Sequence, residues 1–216
     1  MCYTTRMRAS ARVGTAVALV AVLLGACSSS SPKSAGTTTT KPSTGTHAVP
    51  TSFKELQARI VTKVPSGFVA QAPGAYDTGP SDLAKAIRDD GGPNAGKILR
   101  AEKFVRGYQR IWIGPEHAQI IVFVYQFDSR VGARRDYARY TRVFDSKLPP
   151  GTHRFVIGGL PASQSLGVAG SDKTGGAALA YFTKGVFNVE INCNAPTTAG
   201  LQAQATAIAK DQYNRL

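Results

Sequence analysis

"FVRGYQRIWIGPEHAQIIVFVYQF", residues 104–127, holds two strand patterns either side of one turn. From Gln119 to Phe127 the residues Ile120, Ile121, Val122, Phe123, Val124 and Tyr125 run unbroken by polarity. Consecutive β-branched and aromatic residues predict a strand covered on both faces, at the centre of a sheet. Gly114-Pro115-Glu116-His117 has turn composition, and Phe104 to Ile113 before it reads as the antiparallel partner.

Working outward toward the C-terminus, Asp128 and Ser129 precede a predicted helix from Arg130 to about Lys147. Helical spacing puts Ala133, Tyr137, Tyr140 and Phe144 on one face, with Arg135, Arg139 and Arg142 opposite. Pro149-Pro150-Gly151 closes it. Shorter strands are expected near Arg154 to Gly158 and Ser163 to Val168. A hairpin from Ala177 to Cys193 follows, turning at Lys184-Gly185, and a last helix begins at Pro196 and Thr198 with Leu201, Ala205, Ile208 and Leu216 on one side. Strand, strand, helix therefore occurs twice, which predicts an α+β fold in which an antiparallel β-sheet carries packed helices.

Toward the N-terminus, the Gly- and Pro-rich stretch from Pro73 to Gly96 is the longest irregular surface. It contains a short helix from Asp82 to Asp89, capped by Ser81 and ended by Gly91-Gly92. Ser52 and Glu55 stand in capping-box spacing before Leu56, Ile60 and Val64, a helix expected to run to Pro65. Residues 51–216 are the length of one ordinary domain, enough to bury roughly 70% of the unfolded surface. Ahead of them, Ser28 to Val49 is Ser, Thr, Gly, Pro and Lys with no aromatic residue, so it has little to offset the entropy of ordering. As a flexible linker of about 22 residues it spans on the order of 25 Å. Thr37 to Thr40 with Lys41 and Pro42 also has the composition of an O-glycosylated stalk.

Arg6, Arg8 and Arg12 precede an apolar run from Val13 to Leu24. That run is shorter than the roughly 20 residues a membrane-spanning helix needs, and fits the core of a signal peptide. Met7 is a second candidate start. Leu24-Gly25-Ala26-Cys27 resembles the lipobox of bacterial lipoproteins. The resemblance implies cleavage between Ala26 and Cys27, a diacylglyceryl group on the Cys27 sulfur and a site for further acylation at the new amino group. The chain then divides into a signal peptide (1–26), a lipidated cysteine with its disordered linker (27–50) and an extracytoplasmic domain (51–216) tethered to the cell membrane. Two buried acyl chains anchor stably where one binds only marginally.

The sequence holds 26 basic and 13 acidic residues, and losing Arg6, Arg8 and Arg12 with the signal leaves a net charge of about +10. Such a charge speaks to partners and not to fold. Export argues against nucleic acid and leaves anionic lipid headgroups, acidic wall polymers or an envelope protein. Cys193 ends an alternating run in which Phe187, Val189 and Ile191 share its face, the pattern of a buried hydrophobe. A reactive thiol needs a basic, partly open setting.

Few motifs point to chemistry. "GVAGSDKTGG", residues 167–176, has Asp172 where a phosphate loop needs glycine before Lys173 and Thr174, and a strand instead of a helix after it. His47, His117 and His153 lack metal-ligand spacing, and Asp89-Asp90 lacks the alternating oxygen ligands of a calcium loop. The expectation is no catalytic residue, no metal and no cofactor. Arg135, Arg139 and Arg142 form either a solvated helix face or a dock for an anionic partner. Tyr108 and Trp112 line an apolar cleft or belong to the core.

"FVRGYQRIW", "FVYQFDSRVGARRDYARY" and Gly158-Gly159-Leu160-Pro161 resemble small envelope lipoproteins of high-GC actinobacteria, and the two strand-strand-helix units are similar to the LpqN-type lipoproteins with their PsbP-like α+β fold. The resemblance implies compartment and leaves activity open. The leading expectation is a membrane-anchored, non-catalytic domain that binds an apolar or anionic envelope ligand or a protein. The alternative is a hydrolase or transferase acting on wall components.

Overall fold

The computed structural model describes residues 48–146, 148, 150–170 and 176–216. The lipobox residues Ala26 and Cys27, the linker, His47 and the centre of the phosphate-loop-like stretch, 171–175, lie outside the described residues.

Strands β1 (Val69–Ala70), β2 (Gly79–Ser81), β3 (Phe104–Ile113), β4 (Gln119–Phe127), β5 (His153–Phe155), β6 (Ser165–Ala169), β7 (Gly176–Lys184) and β8 (Phe187–Ala195) make one eight-stranded antiparallel sheet. Its order is β1-β3-β4-β8-β7-β6-β5, with β2 also paired to β3. The apolar strand β4 lies inside this order between β3 and β8, as its composition requires. One register row runs Tyr108, Val124, Val189, Phe182. The next row, one residue along each strand, points to the other face of the pleat.

Helices α1 (Phe53–Ala58) and α5 (Leu201–Arg215) pack on the face carrying Tyr108, Val124, Val189 and Phe182. Leu56, Ile60, Val61, Leu201, Ala205, Ile208 and Ala209 are buried there in the main core. Each buried aliphatic side chain contributes roughly 1.5–3 kcal/mol. Gln212 of α5 is fully buried yet satisfied: its Oε1 accepts from the Val61 N–H at 2.9 Å and its Nε2 donates to the Arg59 carbonyl at 3.0 Å. The opposite face is covered by α2 (Leu83–Asp90), α3 (Ala95–Ala101) and α4 (Arg130–Ser146).

Local chemistry explains where elements stop. Ser52 caps α1 through the Glu55 N–H at 3.2 Å, but Glu55 reaches back to the Thr51 N–H at 2.6 Å, one residue before the cap. That bond from Thr51 holds the Glu55 carboxyl below its usual range. Helix α1 ends at Ala58 instead of reaching Pro65, because Ile60 and Val61 turn into the core. The cap of α2 is Asp82, accepting from the Lys85 N–H at 2.7 Å, and not Ser81, which closes β2. Gly91 ends α2 in the left-handed conformation (φ 66°), which costs glycine nothing. Helix α3, which begins at the end of the stretch expected to be irregular up to Gly96, places Leu99 in the core.

Candidate functional site

Helix α4 organises the polar chemistry of its face of the sheet. Phe144 packs with Val168 and Tyr181, so one side of the helix is apolar. Asp136, at no exposure at all, sits among ions. Its carboxylate accepts from the Arg139 guanidinium and from the Asn188 side-chain amide of β8. Arg139 Nη1 also lies 2.8 Å from Asp90 at the end of α2, and its Nε 4.0 Å from Glu102, the residue after α3. The Tyr140 hydroxyl donates to Asp90, and its ring lies 4.1 Å from the Arg139 guanidinium carbon.

Arg139 was expected on the solvent side with Arg135 and Arg142. Only the latter two are exposed; the Arg139 side chain keeps 23% exposure and is turned onto carboxylates. One partner, Asp136, is three residues back on the same helix; the others, Asp90 at the end of α2 and Glu102 just after α3, are non-local. Burial disfavours the charged guanidinium, but Tyr140, Asp136 and Asp90 outweigh it and raise the Arg139 pKa. Burial raises Asp136 despite the bonds from Arg139 and Asn188. Burial, then repulsion from Asp136, pushes Glu102 up to about 7. Glu102 Oε2 is buried without a hydrogen-bond partner.

Beside this cluster, α4 forms one wall of a half-open groove of about 570 Å³. Arg134, Tyr137 and Thr141 line that wall. Arg154 on β5 and the turn Ser163–Ser165 line the other, with buried Thr183 of β7 below. Arg154 donates a hydrogen bond to the Phe144 carbonyl, which fixes its guanidinium against α4. Guanidinium groups together with hydroxyls and an amide suit an anion: the cations supply charge and directed N–H donors, and the hydroxyls adjust to either hydrogen-bonding role. Sequence reading missed this groove, because Arg134 and Arg154 stand on different elements and share no local pattern.

The expected cleft at Tyr108 and Trp112 has a different character. Both rings are core residues at 2% exposure, flooring a smaller pocket of about 220 Å³. Its rim is polar, with Gln57, Thr62, Gln71 and Arg110. The Arg110 guanidinium carbon stands 5.9 Å from each ring centroid, and Nη1 donates to the Val61 carbonyl at 3.2 Å. Lone histidines lie on the surface: His117 in the turn before β4, and His153 with Nε2 2.5 Å from Gln202 Nε2. Cys193 is buried in the main core, and burial pushes its thiol up to about 12.

No family model and no curated protein matches this chain. Among solved structures, the extracellular domain of PknH from Mycobacterium tuberculosis is similar at 12% identity and a TM-score of 0.47, over 78% of this chain and 99% of that one.

Proposed function

We propose that this protein is a lipid-anchored, extracytoplasmic, non-catalytic domain that holds an anionic envelope ligand in the groove beside α4. The observation that carries the reading is the groove itself, with Arg134 and Arg154 on its two walls and hydroxyls between them. Three further features support it. Leu24-Gly25-Ala26-Cys27 resembles a lipobox; the chain carries twice as many basic as acidic residues, 26 against 13; and no helix among the described residues is long and apolar enough to cross a membrane. Anchoring at Cys27 keeps the domain within a linker's length of anionic headgroups and wall polymers.

The test is isothermal titration of the full chain in neutral detergent against two soluble probes, dihexanoyl phosphatidylglycerol as a phosphodiester and oligogalacturonate as a carboxylate polymer. One probe should bind the wild type, and Arg134→Gln with Arg154→Gln should weaken it at least about tenfold, in line with charge-assisted hydrogen bonds worth about 1.5–3 kcal/mol. Equal binding by both proteins, or heat from neither probe, rejects the groove as an anion site.

A further inference from the structure

Helix α4 faces two ways. Arg134, Tyr137 and Thr141 line the groove, while Asp136, Arg139 and Tyr140 meet the ion cluster. In that cluster Asp90 from α2, Glu102 after α3 and Asp136 from α4 surround the single guanidinium of Arg139. Lys85 is engaged nearby by Asp89 at 2.9 Å and Gln109 at 2.7 Å, and the Tyr125 hydroxyl lies 3.5 Å from Asp89. From β8 the facing group is the neutral amide of Asn188.

Three carboxylates cannot all ionise cheaply around one cation in a buried space. Glu102 is the loosest of the three: its Oε1 is 4.0 Å from Arg139, its Oε2 lacks a well-formed hydrogen bond and its close neighbour is the Asp136 carboxyl, whereas Asp90 and Asp136 are bonded directly to Arg139 or its neighbours. Glu102 is also in direct touch with the helix. A Cβ on Gly132 would lie 2.1 Å from the Glu102 carbonyl oxygen, so α4 approaches that backbone as closely as only glycine allows.

We infer that Glu102 is a proton-operated latch on α4: with its proton it lets the helix seat, and without it the carboxylate repels Asp136 and Asp90 and loosens the α4 wall of the groove. Only the functional consequence, a pH-dependent groove, rests on the reading of that groove as a binding site. Burial and Asp136 raise the Glu102 pKa from an ordinary 4.5 to about 7. Between those values the opened chain has lost the proton and the seated one keeps it, so seating weakens as pH rises through the window and levels off above it.

Amide hydrogen exchange on the full chain, corrected for intrinsic rates, tests this at pH 6 and pH 8. Opening of α4 should rise about tenfold between the two in the wild type, while α5 does not respond. Glu102→Gln, which mimics the protonated acid in shape, should show no rise between the two and should open less than the wild type at either pH. The same pH response in wild type and variant, or none in the wild type, overturns the latch. A ¹³C titration of the wild-type Glu102 carboxyl gives an independent reading without any variant: a midpoint near 7 supports the latch and one near 4.5 rejects it. Neither readout involves a ligand, so the latch and the groove can fail separately.

Discussion

Helices α4 and α5 complete the same unit, a hairpin followed by a helix laid across it, and are seated by different physics. Helix α5 buries Leu201, Ala205, Ile208 and Ala209, with Gln212 as a polar exception whose side chain bonds to backbone at Val61 and Arg59. Helix α4 places Asp136 and Arg139 under itself and meets the carboxylates of Asp90, at the end of α2, and Glu102, just after α3. Apolar contact is indifferent to pH and salt at these positions, whereas an ion cluster with more carboxylates than cations responds to both. One face of the sheet is thus covered by a fixed lid, the other by an adjustable one.

The sharpest way to break the contrast is Arg139→Ala. Removing the shared guanidinium takes its charge from Asp90, Asp136 and Glu102 while the hydrogen bonds from Tyr140 and Asn188 stay, and the expected cost is about 3–5 kcal/mol near pH 8. Protonation relieves part of that repulsion, so the loss should shrink at pH 5. Urea denaturation at both pH values measures it, and equal losses would mean that the cluster is not electrostatic in the way described. Gln212→Leu attacks the other helix and should cost about 1–3 kcal/mol by orphaning the Val61 N–H and the Arg59 carbonyl. The same denaturation series should show that loss unchanged with pH. Arg135→Gln, on the exposed side of α4, should stay within about 0.5 kcal/mol at either pH. A larger effect would place Arg135 in the cluster with Arg139.

The sheet was legible because its signal is local. Period-two alternation placed Phe187, Val189, Ile191 and Cys193 on one face, and all four are buried in the main core. The unbroken run in β4 marked an interior strand, and the bounds of β3 and β4 match the sequence pattern residue for residue. Helical spacing was equally sound for Ala133 and Phe144, which are buried. It misplaced Arg139 because a wheel treats every arginine as solvent-seeking; Asp136, three residues earlier, was a local sign, but Asp90 and Glu102 lie some 50 and 37 residues away, and no local period encodes that tertiary pairing. Asp82 displaced Ser81 as a cap for a smaller reason, since neighbouring cap formers differ little in strength. The groove was illegible for the same reason as the cluster: its two guanidinium groups meet only after α4 and β5 have packed.

Gln212 also bears on how the chain reaches this state. Its two bonds join residues 151 and 153 positions apart, tying the loop after the first described helix to the last helix. Contacts of such separation form only after a long segment has been closed, at an entropic cost that grows with loop length, and proteins rich in them fold slowly. Until α5 arrives, the sheet face carrying Val124, Val189 and Phe182 lacks the longer of the two helices that cover it. The interval between synthesis of β8 and docking of α5 is therefore when this protein is most open to aggregation, and when a chaperone has the most to hold.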